Sequence, residues 1–302
     1  MFSFSLLLAL GTADAQQTLF DSQANGTETA FSYQWMDHAG RQQSVEFSLP
    51  TDAIDKDRAV PLDLSWAEMD AFVTQELNAW SDTQPDIEIE VKSNDSGRMA
   101  LTAYAEKPLL KQAFEDAWDQ MNAAEDKWAD ANGYVRLSEN EFLEDHAKLA
   151  REYATSLAPV AQALASEASS PREFAERTMN FLQSIPYDSR TLGRDIGYRR
   201  PLATLAENRA DCDSKSVVML ALMRAAYPDV EAAVVNIPGH TFVAVEVERL
   251  PGDLTIDSGG KTWVTADPVG PAVHELGILS RRSWRMIRRG RHDLRPIAPA
   301  GP

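Results

Sequence analysis

The chain has 302 residues, 44% of them hydrophobic, and a formal net charge of −17 at pH 7. This length allows one large domain or two ordinary ones, each with a packed hydrophobic core. Nucleic acids are bound through clustered Lys and Arg, so the charge argues against nucleic-acid binding as the main function.

The first fifteen residues resemble a secretory signal peptide. Residues 2–10 are apolar but too few to span a bilayer, and Ala13 and Ala15 supply the small residues of a cleavage site. The stretch lacks the usual Lys or Arg ahead of its apolar part. We predict cleavage after Ala15 and a periplasmic or secreted protein, with the periplasm as first choice. No later segment approaches the length of a membrane span.

Residues 16–106 are predicted to form a β-rich α+β region. Polar and apolar residues alternate over four stretches that suit two hairpins: 31–35 with 44–49, and 87–91 with 99–104. Between the hairpins, Ser65 and Glu68 have the spacing of a capping box, which predicts a helix that extends to about Trp80.

Residues 107–169 are predicted to be a helical segment. Three- and four-residue spacing predicts one buried helix face, formed by Leu110, Phe114, Trp118 and Met121. Ser138 and Glu141 have the spacing of a second capping box. It is expected to begin a helix that carries Phe142, Leu149, Tyr153, Leu157 and Leu164.

Residues 170–280 contain the residues that indicate catalysis. A capping box at Ser170, with Pro171 at the first helical position, predicts a helix there. Further on, the polar residues 208–216 lead into the apolar run 217–223, so Cys212 is predicted to lie at a helix N-terminus. Unpaired amides and the helix dipole favour negative charge at that position. We therefore expect the thiol of Cys212, the single cysteine of the chain, to ionise easily and act as a nucleophile.

Two later residues match the needs of such a nucleophile. His240 begins an alternating apolar run predicted to be a strand, and Asp267 ends a short strand that Pro268 terminates. The imidazole of His240 is a candidate general base, and the carboxylate of Asp267 is a candidate group to orient it. Taken singly, each of these three residues is more often structural, but their order and context favour a triad.

Residues 171–270 resemble the transglutaminase-like core, a branch of the papain-like cysteine protease fold. The resemblance depends on the order Cys212, His240, Asp267, and on residues 181–187 and 200–208, which match the segments leading to the cysteine. Arg209-Ala210 stands where a glycine is common in that family. The resemblance implies an α+β fold in which the helix bearing the cysteine packs on an antiparallel sheet and the three residues form a catalytic triad.

The resemblance also implies an oxyanion site. Main-chain amides at the start of the helix, including that of Cys212, are expected to hold the oxyanion. Gln183, Tyr187 and Asn208 lie upstream, where the family places a side-chain donor, and all three remain candidates.

The predicted function is acyl transfer through the thiol, with three alternatives left open. Hydrolysis of an amide bond in a protein or peptide is favoured, because transfer to an amine requires a water-excluding tunnel that the sequence does not indicate. Cross-linking of glutamine to lysine is the second alternative. A non-catalytic binding or assembly protein, with the N-terminal β-rich region as its contact surface, is the third.

Residues 281–302 are predicted to form a basic C-terminal tail. It contains seven arginines and one acidic residue, Asp293, so the rest of the chain carries −23. The tail is expected to lie against this acidic body, and an anionic partner in the cell envelope is the alternative. No cofactor or metal is predicted, because the sequence has no D-x-[DN]-x-[DN]-G calcium loop.

Overall fold

The computed structural model describes residues 17–59, 64–93, 99–138, 141–188 and 198–297. The predicted signal peptide, residues 1–15, lies outside these ranges, so the periplasmic or secreted location stays a prediction. Helices and antiparallel strands are mixed along the described chain, which confirms the α+β class. Contacts divide the chain into two compact units. Unit 1 contains Met1–Pro61 and His146–Pro302, and unit 2 contains Leu62–Asp145.

This division differs from the regions expected from the sequence. The predicted regions 16–106 and 107–169 each contribute residues to both units. Membership of a compact unit is decided by contacts between distant segments, whereas composition and periodicity report on neighbours along the chain. The first strands therefore belong with the segment that contains Cys212, although more than a hundred residues separate them.

Unit 1 begins with a three-stranded antiparallel sheet. Its strands are β1 (Gln17–Asn25), β2 (Glu28–Met36) and β3 (Gln42–Pro50), in that order, and helix α1 (Thr51–Ala59) follows. Phe31 pairs with Phe47 across β2 and β3, which confirms the first predicted hairpin. Tyr33 packs edge-on against Phe181 with ring centroids 5.0 Å apart, and its hydroxyl donates to the Leu205 carbonyl at 2.5 Å. These contacts join the sheet to the rest of unit 1.

Unit 2 contains two helices and two hairpins. In chain order they are α2 (Trp66–Ser81), β4 (Ile87–Ser93), β5 (Met99–Ala105), α3 (Leu110–Asn132), β6 (Tyr134–Ser138) and β7 (Glu141–Glu144). Ser65 Oγ accepts the Glu68 amide at 3.2 Å, as the capping box predicts. Glu90 pairs with Thr102 between β4 and β5, which confirms the second hairpin.

The buried face of α3 differs from the predicted one. Leu110, Phe114 and Trp118 are 42%, 44% and 39% exposed, and only Met121 of the predicted set is buried. The buried face consists of Ala113, Ala117, Met121, Ala124, Trp128 and Ala129. Small alanines let α3 lie close to its neighbours α2 and β5, so this face is buried although its side chains are less hydrophobic.

The capping box predicted at Ser138 was wrong. Gly133 ends α3 in the left-handed conformation, with φ of 82°, and the chain then forms the β6–β7 hairpin. Ser138 ends β6, and Phe142 is buried on β7 rather than on a helix. Strand pairing across the turn therefore overrides the local helix signal.

The next helices along unit 1 contribute to one long hydrophobic core. They are α4 (His146–Tyr153), α5 (Ala158–Ala165), α6 (Pro171–Ser184), α7 (Pro201–Glu207) and α8 (Cys212–Ala226). Ser170 Oγ accepts the Glu173 amide at 3.2 Å and Pro171 is the first helical residue of α6, as predicted. Residues 214–223 of α8 are buried on every side. No helix in the described ranges is both long enough and apolar enough to cross a bilayer.

A second, five-stranded antiparallel sheet completes unit 1. It contains β8 (Ala232–Ile237), β9 (His240–Val245), β10 (Thr255–Ser258) and β11 (Lys261–Ala266), followed by α9 (Arg281–Arg288) and β12 (Asp293–Ile297). The strand order is β10-β11-β9-β8-β12. Alternate residues of β8 and β9 face two different cores on the two faces of the sheet. Val234 and Val243 pack in the same core as α8. Val235 and Phe242 pack in the other core, together with Ile287 of α9. The sheet is therefore covered by helices on both faces.

The basic C-terminal segment is an integral part of this sheet rather than a tail lying on an acidic surface. Ile287 is buried beneath α9, and Leu294 of β12 pairs with Val235 of β8. These apolar residues fix the segment to the sheet, while its arginines face outward. Residues 298–302 lie outside the described ranges.

Candidate active site

Cys212 is the first residue of α8. Asp211 precedes the helix in extended conformation, and its carboxylate accepts the Ser214 amide at 2.9 Å. This N-cap is what allows a helix to begin directly after a polar turn. Cys212 is half-buried, as expected for a side chain at the mouth of a buried helix.

His240 and Asp267 lie on neighbouring strands. His240 begins β9 after a tight turn in which Gly239 has φ of 75°, and Asp267 directly follows β11. Their strands pair antiparallel, with Ala266 opposite Val243. His240 Nε2 lies 2.9 Å from Asp267 Oδ2. The structure therefore brings the predicted base and the predicted orienting group into hydrogen-bond contact.

The sulfur of Cys212 lies at the same end of the sheet. Thr241, the residue after His240, directs its main-chain amide at the sulfur. Asp267 and Cys212 also both act electrostatically on Lys215 of α8. Cys212 thus lies near the contacting pair His240 and Asp267, although 55 positions separate Cys212 from Asp267 along the chain.

The hydrogen bond to Asp267 determines which nitrogen of His240 is basic. Donation from Nε2 to the carboxylate requires the proton on Nε2, so Nδ1 carries the lone pair. Burial alone would lower the pKa of His240, but the hydrogen bond and negative charge of Asp267 raise it above its usual value. The imidazole is therefore a stronger base than a free histidine.

The thiol is less acidic than the sequence suggests. Burial and the charges of Asp213 and Asp211 raise the pKa of Cys212, and the Thr241 amide only partly offsets them. The sulfur donates to Asp213 Oδ2 at 3.3 Å. The thiol is therefore not the easily ionised group that the sequence suggested, because burial of the sulfur, together with the charges of Asp213 and Asp211, disfavours the thiolate.

Asp213 and His146 are site residues that sequence reasoning missed. His146 Nε2 lies 3.0 Å from Asp213 Oδ1, and the imidazole is 4% exposed. Burial alone would raise the pKa of Asp213, but hydrogen bonds from His146, Thr241 and Cys212 hold it below its usual value. A second carboxylate–imidazole pair therefore adjoins the sulfur, and α4 brings it there from a distant segment.

The Asp213→Asn variant is expected to have a more acidic thiol. The substitution removes a negative charge from beside the sulfur, so the pKa of Cys212 should fall by about one unit and alkylation by iodoacetamide at about pH 8 should be about tenfold faster. The measurement is the alkylation rate across pH. Asp55→Asn, an exposed carboxylate on α1, is the matched control and should leave the rate unchanged. An unchanged or higher thiol pKa in Asp213→Asn would contradict this account.

Lys215 is a third residue that was missed, although a charged residue beside an apolar helical run was a visible signal. Its side chain is 0% exposed, and Nζ donates to the Ile185 carbonyl at 2.5 Å. Burial lowers the pKa of Lys215 to about 7, while the negative charges of Asp267 and Asp211 act in the opposite direction. A buried amine thus lies near Asp267 and Cys212.

The three predicted oxyanion donors lie in different surroundings. Gln183 is buried and donates Nε2 to the Asp267 carbonyl at 2.7 Å, so it positions Asp267. Asn208 ends α7 with φ of 49° and exchanges two hydrogen bonds with Gln17, at 2.9 and 2.6 Å. Tyr187 is 41% exposed and bridges Ala210, two residues before the cysteine.

Asp267 is held at three points. His240 binds Oδ2, the Val269 amide donates to Oδ1 at 3.1 Å, and Gln183 binds the main-chain carbonyl. Gly270 permits this arrangement, because a Cβ there would lie 2.1 Å from the Gln183 carbonyl oxygen. A carboxylate fixed in this way suits an orienting role.

Comparison with protein-family models, with curated proteins and with solved structures gives no match to this chain. The resemblance to the transglutaminase-like core thus stays a prediction from the residues themselves: Cys212 at the start of α8, and the paired His240 and Asp267 at the end of the sheet.

Proposed function

We propose that this protein is a thiol-dependent acyl-transfer enzyme with a papain-like, transglutaminase-like core. The observation that carries the proposal is the 2.9 Å contact between His240 and Asp267, at the end of the sheet where the Thr241 amide meets the Cys212 sulfur. A helix bearing the nucleophile, packed on an antiparallel sheet bearing the base, is one arrangement that can supply this chemistry.

The proposed reaction begins with proton transfer from the thiol to His240 Nδ1. The sulfur attacks the carbonyl carbon of an amide, and the carbonyl electrons move onto oxygen. Main-chain amides in the first turn of α8, including that of Cys212, have no partner within the helix and stabilise the oxyanion. The imidazolium then gives its proton to the departing amine, which leaves a thioester on Cys212. Attack by water on the thioester releases the acid and the free thiol.

Hydrolysis of a protein or peptide amide is the favoured outcome. The His240 side chain is 20% exposed, and Cys212 is half-buried, so water reaches the centre where a thioester would form. Transfer to a lysine amine, the transglutaminase reaction, would compete only where water is excluded.

A non-catalytic binding protein is the second candidate, and one observation favours it. Reactive cysteines usually have a lowered thiol pKa, whereas the pKa of the Cys212 thiol is raised. In the catalytic proposal, the basic imidazole of His240 compensates by accepting the proton during attack. In the binding proposal, the thiol stays protonated and inert.

The distinguishing experiment is acylation with p-nitrophenyl acetate. The wild-type protein should release a stoichiometric burst of p-nitrophenolate and carry an acetyl group on Cys212, detected by mass spectrometry. Cys212→Ala should give no burst and retain the same circular dichroism spectrum and melting temperature. An undiminished burst in that variant, or an inert wild-type thiol, would reject the catalytic proposal.

The acyl acceptor is identified by a second assay with a glutamine peptide and a labelled primary amine. We expect conversion of the glutamine to peptide-bound glutamate to exceed amine incorporation; ammonia leaves in both reactions, so the two peptide products are what is measured. Incorporation that outpaces hydrolysis would assign the protein to the cross-linking alternative instead. Cys212→Ala again defines the background.

A further inference from the structure

An unpaired row of arginines lies close to the candidate active site. It consists of four residues of α9 and two that follow the helix: Arg281, Arg282, Arg285, Arg288, Arg289 and Arg291. All six are exposed. We call this set the arginine row. Within the described ranges, none of the six has a carboxylate oxygen within ion-pair distance, whereas Arg295 nearby pairs with Asp293.

Carboxylate partners are available in this chain, and several arginines outside the row bind them. The protein carries 46 acidic residues against 29 basic ones, so carboxylates are abundant. Arginines elsewhere in unit 1 use them: Arg41 binds Asp37, Arg172 binds Asp253, and Arg199 binds Asp188. Six exposed guanidinium groups that stay unpaired in an acidic protein form a surface available to an external anion.

The row reaches the turn that positions the candidate base. Arg282 Nη2 donates to the Pro238 carbonyl at 3.0 Å, and Pro238 and Gly239 form the turn directly before His240. The charge of Arg282 also opposes protonation of His240. One end of the row therefore lies beside the catalytic centre, while Arg288, which stacks over the exposed Trp284 at 5.4 Å, lies at the other end of α9.

The arginine row is carried by a helix, α9, that is fixed to the five-stranded sheet. Ser280 caps α9, and Ser283 and Ile287 are buried against the sheet. The arginines are thus presented by a short helix that is fixed to the same sheet as His240. A guanidinium group binds a carboxylate through two parallel hydrogen bonds, so a fixed row of such groups selects acidic side chains.

We propose that the arginine row binds an acidic peptide and directs it to Cys212, with Arg282 contacting a carboxylate near the bond that reacts. That the bound peptide is a substrate rests on the proposed function. An extended peptide suits the site better than a membrane or a nucleic acid. Such large polyanions would face repulsion from the remainder of the chain, which carries −23 outside residues 281–295.

Binding is measured on the full-length Cys212→Ala protein by fluorescence anisotropy. The probe is a fluorescein-labelled peptide with glutamates spaced by glycine, and its counterpart has glutamine at every glutamate position. We expect the glutamate peptide to bind and the glutamine peptide not to. Arg282→Gln combined with Arg285→Gln should weaken binding about tenfold, since two charge contacts are lost.

The matched control removes two other exposed arginines, by Arg58→Gln with Arg249→Gln. Arg58 is on α1 and Arg249 lies beyond the opposite end of β9 from His240, so this pair changes net charge equally without touching the row. Equal affinity for the two peptides, no binding of either, or an equal loss in the control pair would overturn the proposal.

The location of the bound peptide is tested with a benzophenone group on the glutamate peptide. Photocrosslinks mapped by mass spectrometry should fall on α9 and on residues 238–241. Crosslinks elsewhere would overturn the proposal, as would binding to phosphatidylglycerol vesicles in place of the peptide. Neither measurement involves turnover, so failure of the acylation assay and failure of acidic-peptide binding are separate results.

Discussion

Replacement of His240 by alanine should slow the acylation of Cys212 by about 10²–10⁴-fold, the range attributed to a general base. The thiol of Cys212 has a raised pKa, so at neutral pH it reacts only if a neighbouring group accepts its proton. His240, held by Asp267 with its basic nitrogen at Nδ1, is that group in the proposed mechanism. The measurement is the burst rate with p-nitrophenyl acetate across pH.

His38→Ala is the matched control. His38 is a partly exposed histidine of unit 1 whose ring lies 3.5 Å from Glu176, and it contacts none of the three proposed triad residues. Its loss should leave the burst rate within about twofold of wild type. A burst that is unchanged in His240→Ala, or equally reduced in both variants, would show that His240 is not the base.

The local features of the site could be predicted from the sequence. Asp211 and the apolar run after it specify a helix that begins at Cys212, because the carboxylate caps the helix and the run supplies its buried faces. Alternation specifies β9, and Pro268 ends the segment after β11. The order of nucleophile, base and orienting group along the chain then suggested that they meet, and the structure brings His240 and Asp267 into contact.

Contacts between distant segments could not be predicted in the same way. His146 reaches Asp213 across 67 positions, and nothing near His146 in the sequence indicates that partner. The charges of Asp211 and Asp213 were visible, yet their effect on the thiol depends on burial, which only packing determines. Periodicity likewise predicted a face of α3 that is mostly exposed, whereas the face with Ala113 and Ala117 is buried because small side chains allow close approach.

Replacement of Lys215 by methionine should raise the free energy of unfolding at or below pH 7, with a gain that shrinks as pH rises. Burial lowers the pKa of Lys215 to about 7 in the folded state, from 10.5. Below both values the lysine is protonated folded and unfolded, so the native state bears the whole penalty, about 5 kcal/mol for a shift of this size. Methionine has no charge to bury, so the Lys215→Met variant does not bear this penalty.

The pH dependence follows from proton counting. Between about pH 7 and pH 10.5 the unfolded chain holds a proton on Lys215 that the folded protein has released, so the unfolding free energy of wild type rises by up to about 1.4 kcal/mol per pH unit. Lys215→Met lacks this rise. It also leaves the Ile185 carbonyl without its donor, which costs about 1–3 kcal/mol at every pH and offsets part of the gain.

The difference in unfolding free energy between wild type and Lys215→Met therefore reports on the lysine. Cys212 and the carboxylates are present in both proteins, so their contributions cancel in the difference. Urea unfolding at a series of pH values gives that difference directly. Lys111→Met replaces a lysine whose side chain is 88% exposed, and its difference from wild type should be flat with pH. A flat profile for Lys215→Met as well would mean that the buried amine keeps its ordinary pKa. Its proximity to Asp267 and Asp211 would then compensate fully for its removal from water.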